Sequence, residues 1–91
     1  MITRGRKKGT TRFILKPTNG VNKVCLAGDF TEWKPVRMRK QANGSYAITV
    51  PLSEGMHEYK FQVDEDWLLD PDNHQSTLNS FGTLNSVTEI Y

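Results

Sequence analysis

The segment MHEYKFQV at residues 56–63 alternates large apolar side chains with polar or charged ones. Successive side chains of a β-strand point to opposite faces, so this alternation predicts a strand that is buried on one face only. Strands of this kind cover their apolar faces by stacking as two sheets. The predicted inner face carries Tyr59, Phe61 and Val63, and the predicted outer face carries Glu58, Lys60 and Gln62.

Similar short segments recur along the chain, and turn signals separate them. We predict further strands in TRFIL, KVCLA, YAITV and the final TLNSVTEIY, and a long polar loop over residues 69–82. Asn43-Gly44 favours a tight type I′ hairpin, because both central residues of that turn need positive φ. No window has the 3.6-residue apolar period of a helix. These features predict an all-β fold, packed as an antiparallel sandwich of two sheets.

Charge is distributed unevenly along the chain. Residues 1–28 carry seven Lys or Arg and no acid, whereas residues 29–91 carry five bases and ten acids. We interpret residues 1–9 as a flexible basic tail and residues 10–91 as one domain. No aromatic residue lies within the basic cluster RGRKK, so the cluster offers no platform for stacked bases. Binding of nucleic acid is therefore not favoured.

Membrane insertion and disulfide formation are also not expected. The chain has no apolar run of about 18 residues, which predicts no transmembrane helix and no membrane partner. Its N-terminus lacks the apolar segment of a secretory signal. The single cysteine, Cys25, allows no internal disulfide, and its place in a predicted strand indicates packing. We therefore expect a cytoplasmic protein.

Both tryptophans, Trp33 and Trp67, lie at predicted turns beside charged residues. Exposed aromatic surface usually serves binding. One face of a pyranose ring is lined by C–H groups and is slightly positive, so it stacks well on the electron-rich face of an indole. We therefore expect both tryptophans to be displayed for a sugar rather than buried. The predicted strands already supply inward aromatic residues for a small core: Phe13, Tyr46, Tyr59 and Phe61.

Four ordered motifs carry a resemblance to a known family: VCLAGDFTEW (24–33), EGMHEYKFQVD (54–64), WLLDP (67–71) and GTLNSV (82–87). They resemble the carbohydrate-binding modules of family 48. That family includes the glycogen-binding domain of AMP-activated protein kinase β subunits and the early-set domains of isoamylases and glycogen branching enzymes. The resemblance covers roughly residues 10–91. It implies an immunoglobulin-like early-set β-sandwich that binds α-1,4-linked glucans (glycogen, starch, maltooligosaccharides) and needs no cofactor.

The resemblance also implies a set of carbohydrate-binding residues. The family's two stacking tryptophans fall on Trp33 and Trp67, and the lysine that contacts sugar hydroxyls falls on Lys60. The sugar-contacting residues of its terminal loop fall on Phe81, Thr83 and Asn85.

The chain departs from the family pattern at two places. The family has V-D-G before its second tryptophan, whereas Glu65 and Asp66 follow Asp64 here, so the turn is expected to differ. Phe81 stands where the kinase module has a leucine, in a loop that is one residue longer.

An enzyme would have to use the acidic residues of the second half of the chain. Glycoside hydrolysis needs two carboxyls about 5–9.5 Å apart across the sugar, and these acids lie on a predicted turn and loop. Neither His57 nor His74 has a partner at metal-ligand spacing. We predict no enzyme, no catalytic residues and no metal site. We interpret the acids as a solvated rim: Asp64, Glu65, Asp66, Asp70 and Asp72.

A structural role is the alternative hypothesis. In enzymes of the family this sandwich often packs beside a catalytic barrel, with a degenerate sugar site. The partner would then be a glycogen-metabolising enzyme, or a kinase complex. The joint presence of Trp33, Trp67, Lys60 and Asn85 favours binding, because packing alone does not require these four residues together.

Overall fold

The computed structural model describes residues 1–18 and 20–91. Within these residues the chain forms ten strands and one short 3₁₀ turn at Asp29–Thr31. None of the described residues forms a helix that is long and apolar enough to cross a membrane. The strands are β1 (Ile2–Arg4), β2 (Thr10–Leu15), β3 (Val24–Gly28), β4 (Val36–Arg37), β5 (Arg39–Lys40), β6 (Tyr46–Pro51), β7 (Gly55–Val63), β8 (Asp66–Leu68), β9 (Ser76–Leu78) and β10 (Leu84–Ile90).

The strands pair into two antiparallel sheets. The four-stranded sheet has the order β1-β2-β6-β5, and the larger sheet has the order β4-β3-β7-β10-β9. The long strand β7 is central: β3 pairs with one of its edges, and β10 and β8 pair with successive parts of the other. The predicted all-β sandwich is confirmed.

The core lies between the sheets, and its largest fully buried side chains are the aromatic rings of Tyr59, Phe13 and Phe61. All four predicted inward aromatics, on β2, β6 and β7, are buried. The rings of Phe13 and Tyr59 meet edge to face at 5.0 Å between centroids, and Tyr59 and Phe61 do so at 5.9 Å. Each fully buried large side chain stabilises the fold by about 1.5–3 kcal/mol. Val24 and Leu26 face this core from β3, and Cys25 is buried on the opposite face of the same strand, which confirms its packing role.

Part of the predicted basic tail is a strand. Residues Ile2–Arg4 pair with β2, and Ile2 packs against the core. The chain then turns back over Gly5–Gly9, where the Gly5 N–H donates to the Thr10 carbonyl at 3.0 Å. Residues 2–4, within the segment interpreted as a flexible basic tail, thus lie in a paired strand. A three-residue strand with a single inward apolar side chain is too short to produce a readable alternation.

The predicted loop at 69–82 is divided by β9, which pairs with β10 through Ser76–Leu78. These residues carry little apolar alternation, so their pairing is not visible in the sequence. The predicted final strand is confirmed as β10.

Asp70 is buried, so its interpretation as part of a solvated rim is wrong. The Tyr59 hydroxyl donates to Asp70 Oδ2 at 2.8 Å, and the Asp72 N–H donates to Oδ1 at 2.9 Å. The backbone N–H of Asp70 donates to Ser86 Oγ at 2.9 Å. Burial, together with the bond to Asp70, raises the pKa of the Tyr59 phenol, so the hydroxyl stays a donor. The other four acids of the predicted rim are exposed.

Candidate functional site

An open groove runs across the outer face of the larger sheet, on the side of β7 opposite the core. All six residues that the sequence singled out lie along it. We call this feature the outer groove. Its lining is Asp29, Trp33, Glu58, Lys60, Trp67, Leu78, Asn79, Ser80, Phe81, Thr83 and Asn85.

Strand β8 places Trp67 in the groove. Trp67 pairs with Gln62 of β7 and therefore shares the outer face with Gln62 and Lys60. Its side chain is 49% exposed. The apolar indole is thus held on a short strand whose three residues are all exposed.

Trp33 reaches the groove from the turn after β3. Glu32 and Trp33 both adopt positive φ, at 56° and 60°, and the Trp33 N–H donates to the Gly28 carbonyl at 2.9 Å. A Cβ at Gly28 would collide with the ring of Phe30 and the carbonyl of Glu58, so glycine allows this close approach. Trp33 is 39% exposed. Both tryptophans are thus exposed rather than buried, as expected, and their role in sugar binding stays a prediction. A left-handed conformation at a bulky residue is a form of local strain that is common at binding sites.

The turn between β7 and β8 forms without the family's glycine. Asp64 and Glu65 both have positive φ, at 47° and 79°, as the two central residues of a type I′ turn require. The Asp64 carboxylate accepts the N–H groups of Asn22 and Lys23, at 3.1 and 2.8 Å. These bonds hold the turn closed. Glu65 nevertheless keeps its positive φ, a conformation that strains a non-glycine residue. The turn keeps its tight form although the glycine is missing.

Lys60 occupies the middle of the groove floor. Its ammonium group donates to Thr83 Oγ1 at 3.3 Å. Thr83 Oγ1 also accepts from Asn79 Nδ2 at 2.7 Å, and Asn79 Oδ1 accepts the N–H groups of Phe81 and Thr83. Asn79 therefore shapes the loop between β9 and β10. Its signal in the sequence is an Asn-Ser-x-Gly turn, which was not singled out.

Asn85 lies at the bottom of the groove and is only 4% exposed. Its amide donates to Glu58 Oε1 at 3.0 Å and its carbonyl oxygen accepts from Asn79 at 3.1 Å. One N–H and one acceptor site remain for a ligand. Glu58 and Asp29 are groove residues that sequence reasoning missed. The alternation of β7 does place Glu58 on the same face as Lys60 and could have identified it.

Apolar side chains extend the rim of the groove. Phe81 is 90% exposed at the tip of the loop, and Leu78 beside it is also exposed. The groove thus combines two indoles and a phenyl ring with polar groups of both charge signs: Lys60, Glu58 and Asp29. Such a combination can stack on ring faces and bond the hydroxyls at their edges. Among the described residues, no three His, Cys, Asp or Glu side chains are arranged to hold a metal ion.

Comparison with known families identifies the type of module. The family described as "Glycogen recognition site of AMP-activated protein kinase" matches residues 11–91. The chain belongs to this family. The resemblance to family 48 carbohydrate-binding modules is therefore confirmed, and the module itself is non-catalytic.

The chain is also similar to curated proteins over 77 residues, or 85% of its length. It is 34% identical to 5′-AMP-activated protein kinase subunit beta-1 of Sus scrofa and covers 62% of that sequence. It is 34% identical to the beta-1 subunit of Homo sapiens and 27% identical to the beta-2 subunit of Mus musculus, and covers 28% of each. The chain therefore spans less than two thirds of these relatives.

Solved structures show the same fold within larger enzymes. A maltogenic amylase from S. marinus superposes with a TM-score of 0.81 at 26% identity, over all of this chain and 16% of the amylase. A putative alpha amylase from Salmonella typhimurium superposes with a TM-score of 0.70 at 21% identity, over 96% of this chain and 14% of that one. The second likeness concerns the fold alone.

Proposed function

We propose that the outer groove binds α-1,4-linked glucan chains, as found in glycogen, starch and maltooligosaccharides. The observation that carries the proposal is the placement of two half-exposed indoles, Trp33 and Trp67, on the same face as Lys60. Membership of a family described by glycogen recognition supports the same ligand class. In this account the module catalyses nothing and brings whatever it is attached to onto a glucan particle.

Each side chain of the groove has a part in this proposal. Trp33 and Trp67 stack on the apolar faces of sugar rings, and Phe81 adds a third aromatic contact at the exposed tip of the loop. Lys60 and Thr83 already bond to each other and offer the sugar hydroxyls a donor and an acceptor. Asn85 contacts sugar from the floor of the groove through its remaining amide hydrogen, while holding Glu58 in place.

A shallow groove that stacks a few sugars buries little surface, so each single contact is weak, on the order of micromolar to millimolar. A glycogen particle presents many chain ends at once, which raises the effective affinity. The proposal therefore predicts a larger apparent affinity for glycogen than for a short maltooligosaccharide.

The test uses the fact that the chain has only two tryptophans, both in the groove. Maltoheptaose is titrated into the protein while tryptophan emission is followed, and cellohexaose serves as the control sugar. A saturable change with maltoheptaose alone, weakened in Trp67→Ala, is the expected result. A flat response to both sugars from the folded protein would overturn the proposal.

A second candidate is a docking module whose sugar site is not used. The likeness to a segment of the maltogenic amylase favours it, since that fold there makes up only 16% of a larger chain. The partner in this case is a glycogen-metabolising enzyme or a kinase complex, as the names of the relatives suggest. The flat titration described above, combined with co-purification of such a partner, is the outcome that would favour it.

A further inference from the structure

The outer side of the four-stranded sheet is strongly basic, in contrast to the sheet that carries the groove. Residues 1–16 and 39–51, which form this sheet and its close connections, contain eight Lys or Arg residues and no Asp or Glu. Acids are confined to the other parts of the chain, including the groove and the turn before Trp67. The strands of this sheet therefore contribute only basic charges, and acids of other segments lie at its margins.

Four of these bases gather at one place. The sequence suggests a frayed tail, but the structure brings Arg4, Arg6, Lys7 and Arg12 around a single surface depression. Gln41 and Thr49 complete its lining, so it contains no acid and no aromatic ring. We call this feature the basic depression.

The backbone around Gly5 builds the depression. A Cβ at Gly5 would meet the side chains of Thr10 and Thr49 at 3.0 Å or less, so only glycine lets the chain lie this close to the sheet. The following turn is held by hydrogen bonds from the N–H and the hydroxyl of Thr10 to the Lys7 carbonyl. Arg6 and Lys7 are therefore held beside Arg12, which points to the outer face because Phe13 points inward.

The four bases of the basic depression form no ion pair within the described residues, although Asp72 lies near Arg12, and Glu54 and Glu89 lie near Arg4 and Lys7. Ion pairs in this part of the chain join the N-terminus to Asp70 and Asp72, Lys34 to Glu32, and His57 to Asp29. None of them involves the four bases of the basic depression. Clustered like charges repel each other, so a bound anion would stabilise this arrangement.

We propose that the basic depression binds a phosphate group carried by an extended segment of a partner protein. A phosphorylated side chain carries a charge of about −1.5 to −2 and three strong acceptor oxygens, which match the planar N–H forks of arginines such as Arg6 and Arg12. Guanidinium groups bond phosphate in pairs of parallel hydrogen bonds, and such charge-assisted bonds are about twice as strong as neutral ones.

The neighbouring edge of the sheet explains why the phosphate belongs to an extended protein segment. Strand β1 is the last strand of the four-stranded sheet, and its outer edge has no pairing strand among the described residues. An extended peptide can add to such an edge through backbone hydrogen bonds. Nucleic acid is a poorer match, because single strands are bound by aromatic stacking along a basic groove, and the basic depression contains no aromatic ring.

The test is a nuclear magnetic resonance titration of the ¹⁵N-labelled chain with four probes. The first is an extended nine-residue peptide with one central phosphoserine, and the second is the same peptide with serine. The third carries two glutamates at the centre, which matches the charge of the phosphate, and the fourth is a short single-stranded oligonucleotide. Binding of the phosphopeptide is expected to shift the amide signals of residues 3–12 and Thr49, and to leave Trp67 and Lys60 unchanged.

Two variants of equal net charge localise the effect. Arg6→Gln/Arg12→Gln removes two guanidinium groups from the basic depression, and we expect its affinity for the phosphopeptide to fall by at least about tenfold. Lys23→Gln/Arg37→Gln removes the same charge from residues outside the depression, and should bind almost as well as the unchanged protein. Unshifted signals from the core amides of each variant show that it is folded.

Several results would overturn the proposal. Equal binding of the glutamate peptide would show a general acidic site, and equal or tighter binding of the oligonucleotide would show a nucleic-acid surface. Equal loss in the two double variants would show that only net charge matters. If no probe shifts any amide signal, the basic depression does not bind a ligand of this class. None of these results depends on whether the outer groove binds glucan.

Discussion

The two faces of strand β7 are made from neighbouring residues but serve different ends. On the inner face, Tyr59 and Phe61 are fully buried and pack edge to face. On the outer face, Lys60 lies between them in sequence, remains partly exposed and bonds to a loop threonine. The inner face holds the sandwich together, while the outer face presents groups that are not needed for folding.

The backbone differs between the two faces in the same way. The strands that build the core are regular, and their inward residues alternate with outward ones. The turns that present Trp33 and Trp67 contain four non-glycine residues with positive φ. Such conformations cost free energy, of order 1–3 kcal/mol each. Stability therefore resides mainly on the inner face of β7, whereas the arrangement of the outer face lowers the stability of the fold.

The largest expected effect separates the two faces directly. Phe61→Ala empties a site in the core and should lower the free energy of unfolding by about 3–5 kcal/mol. Gln62→Ala is the matched control, because it alters the next residue of the strand, which lies on the outer face. It should change the free energy of unfolding by no more than about 0.5 kcal/mol. Urea unfolding of both variants measures the difference. Equal losses would contradict the division between the faces.

The buried hydrogen bond of Tyr59 should have the next largest effect. Tyr59→Phe removes the hydroxyl that Asp70 and Asn73 both contact, and should cost about 1–3 kcal/mol at pH 7. The raised pKa keeps the folded phenol neutral while an unfolded tyrosine ionises above about pH 10. The phenol's contribution is therefore complete below that pH and declines above it. Urea unfolding at pH 7 and pH 10.5 should show the gap between the two proteins narrowing at the higher pH, and a constant gap would be evidence against this account.

On the outer face, Trp67→Ala should affect binding and hardly affect folding. We expect affinity for maltoheptaose to fall by at least about tenfold, since one of two stacking platforms is lost. Because the indole is half-exposed, its removal should leave the midpoint of thermal unfolding within a few degrees of that of the unchanged protein. Isothermal titration calorimetry measures the affinity, and Leu68→Ala, which shortens the next exposed apolar residue, is the control. Similar losses in both variants would mean that the groove lacks a specific stacking role for Trp67.

The smallest expected effect concerns the strained turn. Glu65→Gly should raise the free energy of unfolding by up to about 1 kcal/mol, because glycine adopts the observed φ of 79° without a steric penalty. Greater freedom of glycine in the unfolded chain offsets part of the gain. Glu54→Gly, at an exposed position whose own φ is not positive, should not stabilise the chain. A loss of stability in Glu65→Gly would show that the turn is not strained.

The fold and most of the groove could be predicted because their residues alternate with period two or lie within recognisable motifs. The inward aromatics and the outward Lys60 followed from the alternation, and the display of both tryptophans from their places at predicted turns beside charged residues. The remaining groove residues were implied by the family resemblance: Phe81, Thr83 and Asn85. Residues whose role depends on distant partners could not be read in this way. Asp70 appears in the sequence as one more acid of a polar loop, and only the approach of Tyr59 and Ser86 makes it a buried acceptor.

Short pairing segments were missed for a related reason. Strands β1 and β9 have three residues each, so their pairing depends on backbone hydrogen bonds rather than on a side-chain pattern. The gathering of Arg6 and Arg12 follows from the pairing of β1 and from the close approach at Gly5. The basic depression therefore could not be predicted from the sequence, although the excess of basic residues in the first part of the chain could be counted there.

The central claim is that the outer face binds α-glucan while the inner face maintains the fold. Co-sedimentation with glycogen tests it most directly, using the unchanged protein and Trp33→Ala/Trp67→Ala, with thermal unfolding recorded on the same samples. We expect the unchanged protein to sediment with glycogen, and the double variant to stay in the supernatant although it unfolds cooperatively within a few degrees of the original. A double variant that still sediments, or an unchanged protein that does not, would contradict the account.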